Sequence, residues 1–179
     1  MSQKVLLNAK EVNIILHRLA CQLIEKHNDF TNTVLIGLQP RGVFVANRLA
    51  KILEEDYKIK NIPLGHLDIT FYRDDFRRGD KPLEANTTKI NFLVENKNIV
   101  FIDDVLYTGR SIRAALTAIQ SFGRPNEIEL LTLIDRRFSR HLPIQPNYRG
   151  RQVDAINKEK VIVHWQENEG EDAVYLINK

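Results

Sequence analysis

Asn98–Ala115 reads NIVFIDDVLYTGRSIRAA, and this one stretch decides the fold. Asn98 to Asp103 is a short apolar run of the kind that forms a buried strand. It ends in two adjacent acids, Asp103 and Asp104. A turn with Thr108, Gly109 and Ser111 follows, and Ile112, Ala115, Leu116 and Ile119 then recur at helical spacing up to Gly123 and Pro125. Ligands of open α/β sheets sit at the carboxyl ends of strands. A helix N-terminus offers unpaired N–H groups and a positive dipole end, which suit a phosphate. Gly109 lets backbone approach an anion closely. The two acids suit sugar hydroxyls or a divalent metal. An Asp-capped helix after a strand would explain each piece separately, but not the apolar Val105 and Leu106 between the acids and the Thr-Gly pair.

Working outward, strand and helix patterns alternate. Asn8 and Glu11 form a capping pair for an amphipathic helix over residues 9 to 27, carried by Val12, Ile15, Leu16, Leu19 and Leu23. Thr33 to Leu38 reads as a buried strand, Gln39-Pro40-Arg41-Gly42 as a turn, and Val45, Leu49, Ile52 and Leu53 as a helix ending near Asp56. Ile62 to Tyr72 reads as one long strand, and the highly charged residues 73 to 81 as a surface loop. Ile128 to Ile134 is a further strand. Residues 135 to 158 read as basic and irregular, and Val161–Trp165 and Ala173–Ile177 as closing strands joined by an acidic turn. The alternation predicts α/β architecture, a mostly parallel doubly wound sheet in one domain over residues 1 to 179.

The composition is that of an ordinary globular chain: 43% hydrophobic and 27% charged residues, net charge +3. No apolar run approaches the roughly 18 residues of a membrane helix, so no membrane partner is expected. The single cysteine, Cys21, excludes an internal disulfide and points to the cytoplasm. The five histidines lack metal-ligand spacing, so no zinc site is expected. Trp165 reads as core or interface packing.

IVFIDDVLYTGRSI resembles the 5-phosphoribosyl-1-pyrophosphate (PRPP) motif of type I phosphoribosyltransferases. With GLQPRGVFVANRLA, LDITFYRDDF, GRPNEIELLTLIDR and LPIQPNYRGR, the chain is similar to the PyrR family, pyrimidine operon attenuators that double as uracil phosphoribosyltransferases. The resemblance implies that Asp103 and Asp104 hold the ribose hydroxyls and Mg2+, and that Val105, Leu106, Tyr107, Thr108, Gly109, Arg110 and Ser111 line the nucleotide site around the 5-phosphate. It implies that Pro40 and Arg41 meet the pyrophosphate and that Arg73 belongs to a loop closing over PRPP. A hood over roughly 135 to 160, with the N-terminal segment, would cover the base, with Tyr107, Asp135, Tyr148 and Arg149 beside it. The implied substrates and products are uracil, PRPP, UMP and pyrophosphate. The implied assembly is a homodimer or larger. The same family implies a pyrimidine mRNA leader as partner, with Arg18, Lys26, Arg140 and Arg151 as its contacts.

Several positions depart from the family pattern. Arg149 stands where an aliphatic residue is usual, and Asp154-Ala155-Ile156 replaces a proline-threonine turn. His17, Cys21 and Gln145 stand where threonine, histidine and arginine are expected, and each lost cation removes a phosphate contact. Weak RNA binding is therefore expected. Tyr107 stands where purine-specific relatives usually carry an aspartate, so a pyrimidine base is expected. The alternatives are an RNA-binding, UMP-sensing regulator with little catalysis and a purine phosphoribosyltransferase.

Overall fold

The computed structural model describes residues 3–73, 86–155 and 159–178. Five strands form a wholly parallel sheet in the order β3-β2-β4-β5-β6: β2 (Thr33–Leu38), β3 (Leu64–Leu67), β4 (Asn98–Leu106), β5 (Glu127–Arg137) and β6 (Tyr148–Asp154). Three helices cover it: α1 (Ala9–His27), α2 (Gly42–Glu55) and α3 (Arg110–Ile119). The central strands are apolar on both faces because both faces are covered. On β4, Val100 and Ile102 pack with Leu16 and Leu19 of α1 and Leu49 of α2, while Ile99 and Phe101 pack with Ile112, Ala115 and Ile119 of α3. This is the two-residue alternation of a strand read out as two cores.

The expected helix over 9 to 27 is α1, with its start set by the capping box: Asn8 Oδ1 accepts from Glu11 N and Glu11 Oε2 accepts from Asn8 N. α2 begins hard against the sheet. A Cβ on Gly42 would lie 2.3 Å from the Ile102 carbonyl oxygen, so only glycine lets this helix start beside β4.

Three expectations are corrected. The long strand over 62 to 72 is only β3, followed by a 3-10 turn at Thr70–Tyr72. Asp68 ends it: Oδ1 accepts from Thr70 N at 3.0 Å and Thr70 Oγ1 at 2.6 Å, and Oδ2 accepts from Asn86 N at 2.9 Å. This local side-chain turn competes with the ladder on an edge strand. Secondly, β4 runs on to Leu106, so both acids lie within the strand, held there by pairing of Asp103 with Thr132 and Val105 with Ile134. Thirdly, residues 135 to 158 are not all irregular, since β5 reaches Arg137 and β6 pairs with it from Tyr148 to Asp154. Basic side chains there hid the strand pattern. The N-terminal residues, for which no element was expected, form β1 (Gln3–Leu7), which joins the two expected closing strands, β7 (Glu159–His164) and β8 (Ala173–Asn178), in a separate antiparallel sheet, order β1-β8-β7. The acidic turn contains the short helix α4 (Gln166–Glu169). The charged loop expected over 73 to 81 lies, from residue 74 on, outside the described residues.

Arg48 of α2 fastens the small sheet. It pairs with Asp172 at 2.7 Å and Glu167 at 2.8 Å and lies 4.7 Å from the Trp165 ring centre. Trp165 is fully buried, as its reading as a packing residue requires. Cys21 is half-buried, with Sγ 3.0 Å from the Tyr57 hydroxyl. Among the described residues no helix is long and apolar enough to cross a membrane.

Candidate active site

β4 and α3 are joined by Tyr107, Thr108 and Gly109, and this tight link makes the site. Gly109 has φ 90°, a left-handed conformation that brings the chain from strand to helix. The amides at the start of α3 are thereby presented at the carboxyl end of the sheet. Arg110 N is turned toward Thr108 Oγ1 at 3.4 Å. A cavity of about 270 Å3 lies here, lined by Arg73, Asp103 and the unbroken run Val105 to Ile112. The loop is braced from beyond β5: His141 N donates to the Thr108 carbonyl at 3.0 Å, and Arg140 Nη1 donates to the Tyr107 carbonyl.

The two acids sit in a poor medium for charge. Burial, followed by the neighbouring charge of Asp104, raises the Asp103 carboxyl well above the ordinary carboxylate range. Burial also raises Asp104, against the opposing pull of Arg41. Asp103 Oδ1 accepts from Asp104 N at 2.9 Å, and Asp104 Oδ2 meets Arg41 Nε at 3.2 Å. Arg73 contributes positive charge at Asp103. Among the described residues no group of three or more His, Cys, Asp or Glu side chains is placed to hold a metal. A neighbouring pair of carboxylates beside this cavity does fit Mg2+, which keeps water and ligand phosphate oxygens in most of its coordination positions.

Arg41 stands at the head of α2, after a cis Gln39–Pro40 bond. Its side chain crosses to the small sheet: Nη1 lies 3.1 Å from Glu169 Oε1, and Nη2 donates to the Val163 carbonyl. It is not among the residues lining the phosphate cavity.

A second cavity, of about 590 Å3, is lined by Asp135, Arg137, Phe138, Arg140, Leu142 to Pro146, Arg149 and Gln152. Arg140 bridges the two cavities, since it also pairs with buried Asp135. Arg149 Nη1 lies 4.0 Å from Asp135 Oδ2. Tyr107, Asp135 and Arg149 are thus brought to this junction, but Tyr148 is not. It is buried among α1 and β5, with its hydroxyl donating to Glu129 Oε2 at 3.0 Å and 3.1 Å from His27 Nε2. Strand alternation puts adjacent Tyr148 and Arg149 on opposite faces, so the Tyr148 side chain, expected beside the base, is turned away from this cavity.

The cations expected to meet RNA are also engaged within the fold. Arg18 donates to the Arg149 and Gly150 carbonyls, Arg151 to the Leu6 carbonyl at 2.7 Å, and Lys26 pairs with Glu127 and Glu129. Arg140 turns inward to Asp135 rather than outward. Sequence reasoning missed three site-shaping residues: Glu169 on Arg41, His141 on Thr108, and Arg136, whose guanidinium stacks on Tyr107. No spacing could have found Glu169, which lies 128 residues from Arg41.

A parallel sheet whose central strand carries two acids near its end and feeds a glycine turn at a helix N-terminus is the architecture of a type I phosphoribosyltransferase. The phosphoribosyl transferase domain family matches residues 2–168. Solved structures of similar fold include a hypoxanthine phosphoribosyltransferase from Staphylococcus aureus, with TM-score 0.71 and 20% identity, covering 98% of this chain and 92% of that one. The Trypanosoma cruzi hypoxanthine enzyme in complex with the product IMP has TM-score 0.72 and 15% identity, covering 97% and 89%. At these identities the likeness is one of fold. The bifunctional protein PyrR of Picosynechococcus sp. is 45% identical over 172 residues, 96% of each chain. That of Enterococcus faecalis is 37% identical over 176 residues, 98% of this chain and 97% of the relative. The chain belongs to the PyrR family of phosphoribosyltransferases.

Proposed function

We propose that the chain, acting as one phosphoribosyltransferase domain, transfers the phosphoribosyl group of PRPP to uracil, giving UMP and pyrophosphate. The observation that carries this is the cavity formed by Arg73, Asp103 and the run from Val105 to Ile112, bridged by Arg140 to the larger cavity at Asp135 and Arg149. The α3 amides and the Thr108 and Ser111 hydroxyls hold the 5-phosphate. Asp103 and Asp104 hold the ribose hydroxyls and Mg2+, which when bound supplies positive charge to the pyrophosphate. Breaking the C1–pyrophosphate bond leaves cationic ribose and an anionic leaving group. Arg73 and Arg41 take up that negative charge. The base then attacks C1 from the opposite face. Uracil reacts through N1, whose proton passes to the released pyrophosphate or to water as the C1–N1 bond forms, and it has no N7 to serve, so Tyr107, a poor base at neutral pH, suits it where an aspartate would serve a purine. A protein of this kind works in the cytoplasm, and a homo-oligomer is the expected assembly.

The test is turnover of uracil, hypoxanthine and guanine at saturating PRPP and Mg2+. Uracil is expected to react fastest. Faster reaction of either purine would overturn the base assignment.

A second reading, RNA-binding regulation of pyrimidine genes, is favoured by the word bifunctional in the relatives' names. The internal engagement of Arg18, Lys26, Arg140 and Arg151 supports weak RNA binding here. Tight, UMP-enhanced shift of a pyrimidine leader hairpin at physiological salt would promote the regulator.

A further inference from the structure

Arg41 is the cation offered to the pyrophosphate, yet its fork points elsewhere. Nη1 is 3.1 Å from Glu169 Oε1, Nη2 is 3.5 Å from Glu169 Oε2, and Nη2 also donates to the Val163 carbonyl. Only Nε faces the site, at Asp104. Glu169 is itself fixed: Oε2 accepts from Trp165 N at 2.8 Å, and Glu169 N donates to the Trp165 carbonyl at 2.8 Å. It lies one position beyond the matched family segment, on the short helix between β7 and β8. A guanidinium that meets a carboxylate through two nitrogens cannot present the same edge to a phosphate.

We infer that Glu169 is a positioning residue that holds Arg41 withdrawn from the pyrophosphate site, and so sets the affinity for PRPP and pyrophosphate. This rests on the phosphoribosyltransferase reading above. Binding a highly charged diphosphate has to detach Arg41 from Glu169 and Val163, and the protein's affinity is lowered by the cost of that release. Asp104, when holding a ribose hydroxyl or Mg2+, would loosen its hold on Nε, so the release is coupled to occupation of the acid pair. The fold supplies its own reporter. Trp165, the chain's only tryptophan, accepts and donates hydrogen bonds to Glu169 and packs 6.3 Å from Phe44.

The experiment titrates the full chain with magnesium pyrophosphate and with magnesium PRPP. Calorimetry and Trp165 emission are followed for wild type and Glu169→Gln. The variant keeps the shape and removes the charge. Expected are affinities about two- to fivefold tighter in the variant, the range of a part-exposed ion pair. The KM for PRPP should fall by the same factor with kcat within about twofold. A merely structural residue would not tighten binding on removal. Unchanged or weaker affinity in a folded variant overturns the inference. Should Glu169→Gln not fold, wild type decides: Trp165 emission must change as pyrophosphate binds, and calorimetric binding with unchanged emission overturns the inference. Absence of any PRPP binding by wild type would instead refute the phosphoribosyltransferase reading.

Discussion

The Arg136 guanidinium lies 4.0 Å from the centre of the Tyr107 ring, face on, and so couples β5 to the phosphate loop. Arg136 is buried, donates to the Glu159 carbonyl at 2.9 Å, and burial works against its charge. Such a guanidinium–ring contact contributes about 0.5–2 kcal/mol. Tyr107→Phe keeps the ring and is expected to leave thermal stability and the PRPP constant near wild type. Tyr107→Ala is expected to lose about 1–2 kcal/mol and raise the PRPP constant several-fold, measured by urea denaturation and steady-state kinetics.

Asp103 titrates with an inverted stability effect. Burial and the Asp104 charge raise its folded-state value above 3.8. The folded state therefore holds the proton over a range where the unfolded chain has lost it. Stability is greatest below that ordinary value and falls as pH rises from about 4 through the folded-state range. Asp103→Asn removes the charge and is expected to be more stable than wild type at pH 8 by about 1 kcal/mol or more. The difference should shrink toward pH 4. The same variant should bind magnesium PRPP at least about tenfold more weakly, a loss of about 1.4 kcal/mol. Denaturation at several pH values and calorimetry check both halves.

Arg73 lines the cavity at the start of α3 beside Asp103, from the far side of the β3 turn. It is expected to act on charge that develops as the C1 bond breaks. Arg73→Ala should lower kcat more than it raises the PRPP constant, with rapid-quench kinetics locating the loss in the chemical step. An effect confined to the PRPP constant would make it a ground-state ligand only.

The Tyr148 side chain belongs to a buried polar cluster with Glu129 and His27. Burial and Glu129 push its hydroxyl above the ordinary tyrosine value. Glu129 is shared with His27, at 2.8 Å, and with Lys26. Tyr148→Phe withdraws one donor from a buried carboxylate, a loss of about 1–3 kcal/mol. The KM for uracil should be unchanged, as parallel denaturation and kinetic measurements will show.

The sequence alone determined the elements whose causes are local. Asn8 and Glu11 three apart start α1, the apolar runs at 33 to 38 and 98 to 103 form central strands, and Gly109 before a helical repeat makes the turn into α3. Each depends on spacing within a few residues, so each is legible in a linear chain. β1 and β6 were not legible, because their backbone partners, β8 and β5, lie elsewhere in the chain and polar side chains mask their pattern. Register decided the rest. One step along β6 sends Arg149 to Asp135 and Tyr148 to Glu129. The closure of β1, β7 and β8 brings Glu169 against Arg41 across 128 residues. Side-chain facing and long-range ion pairs follow from how sheets close on one another, and tertiary structure alone decides that.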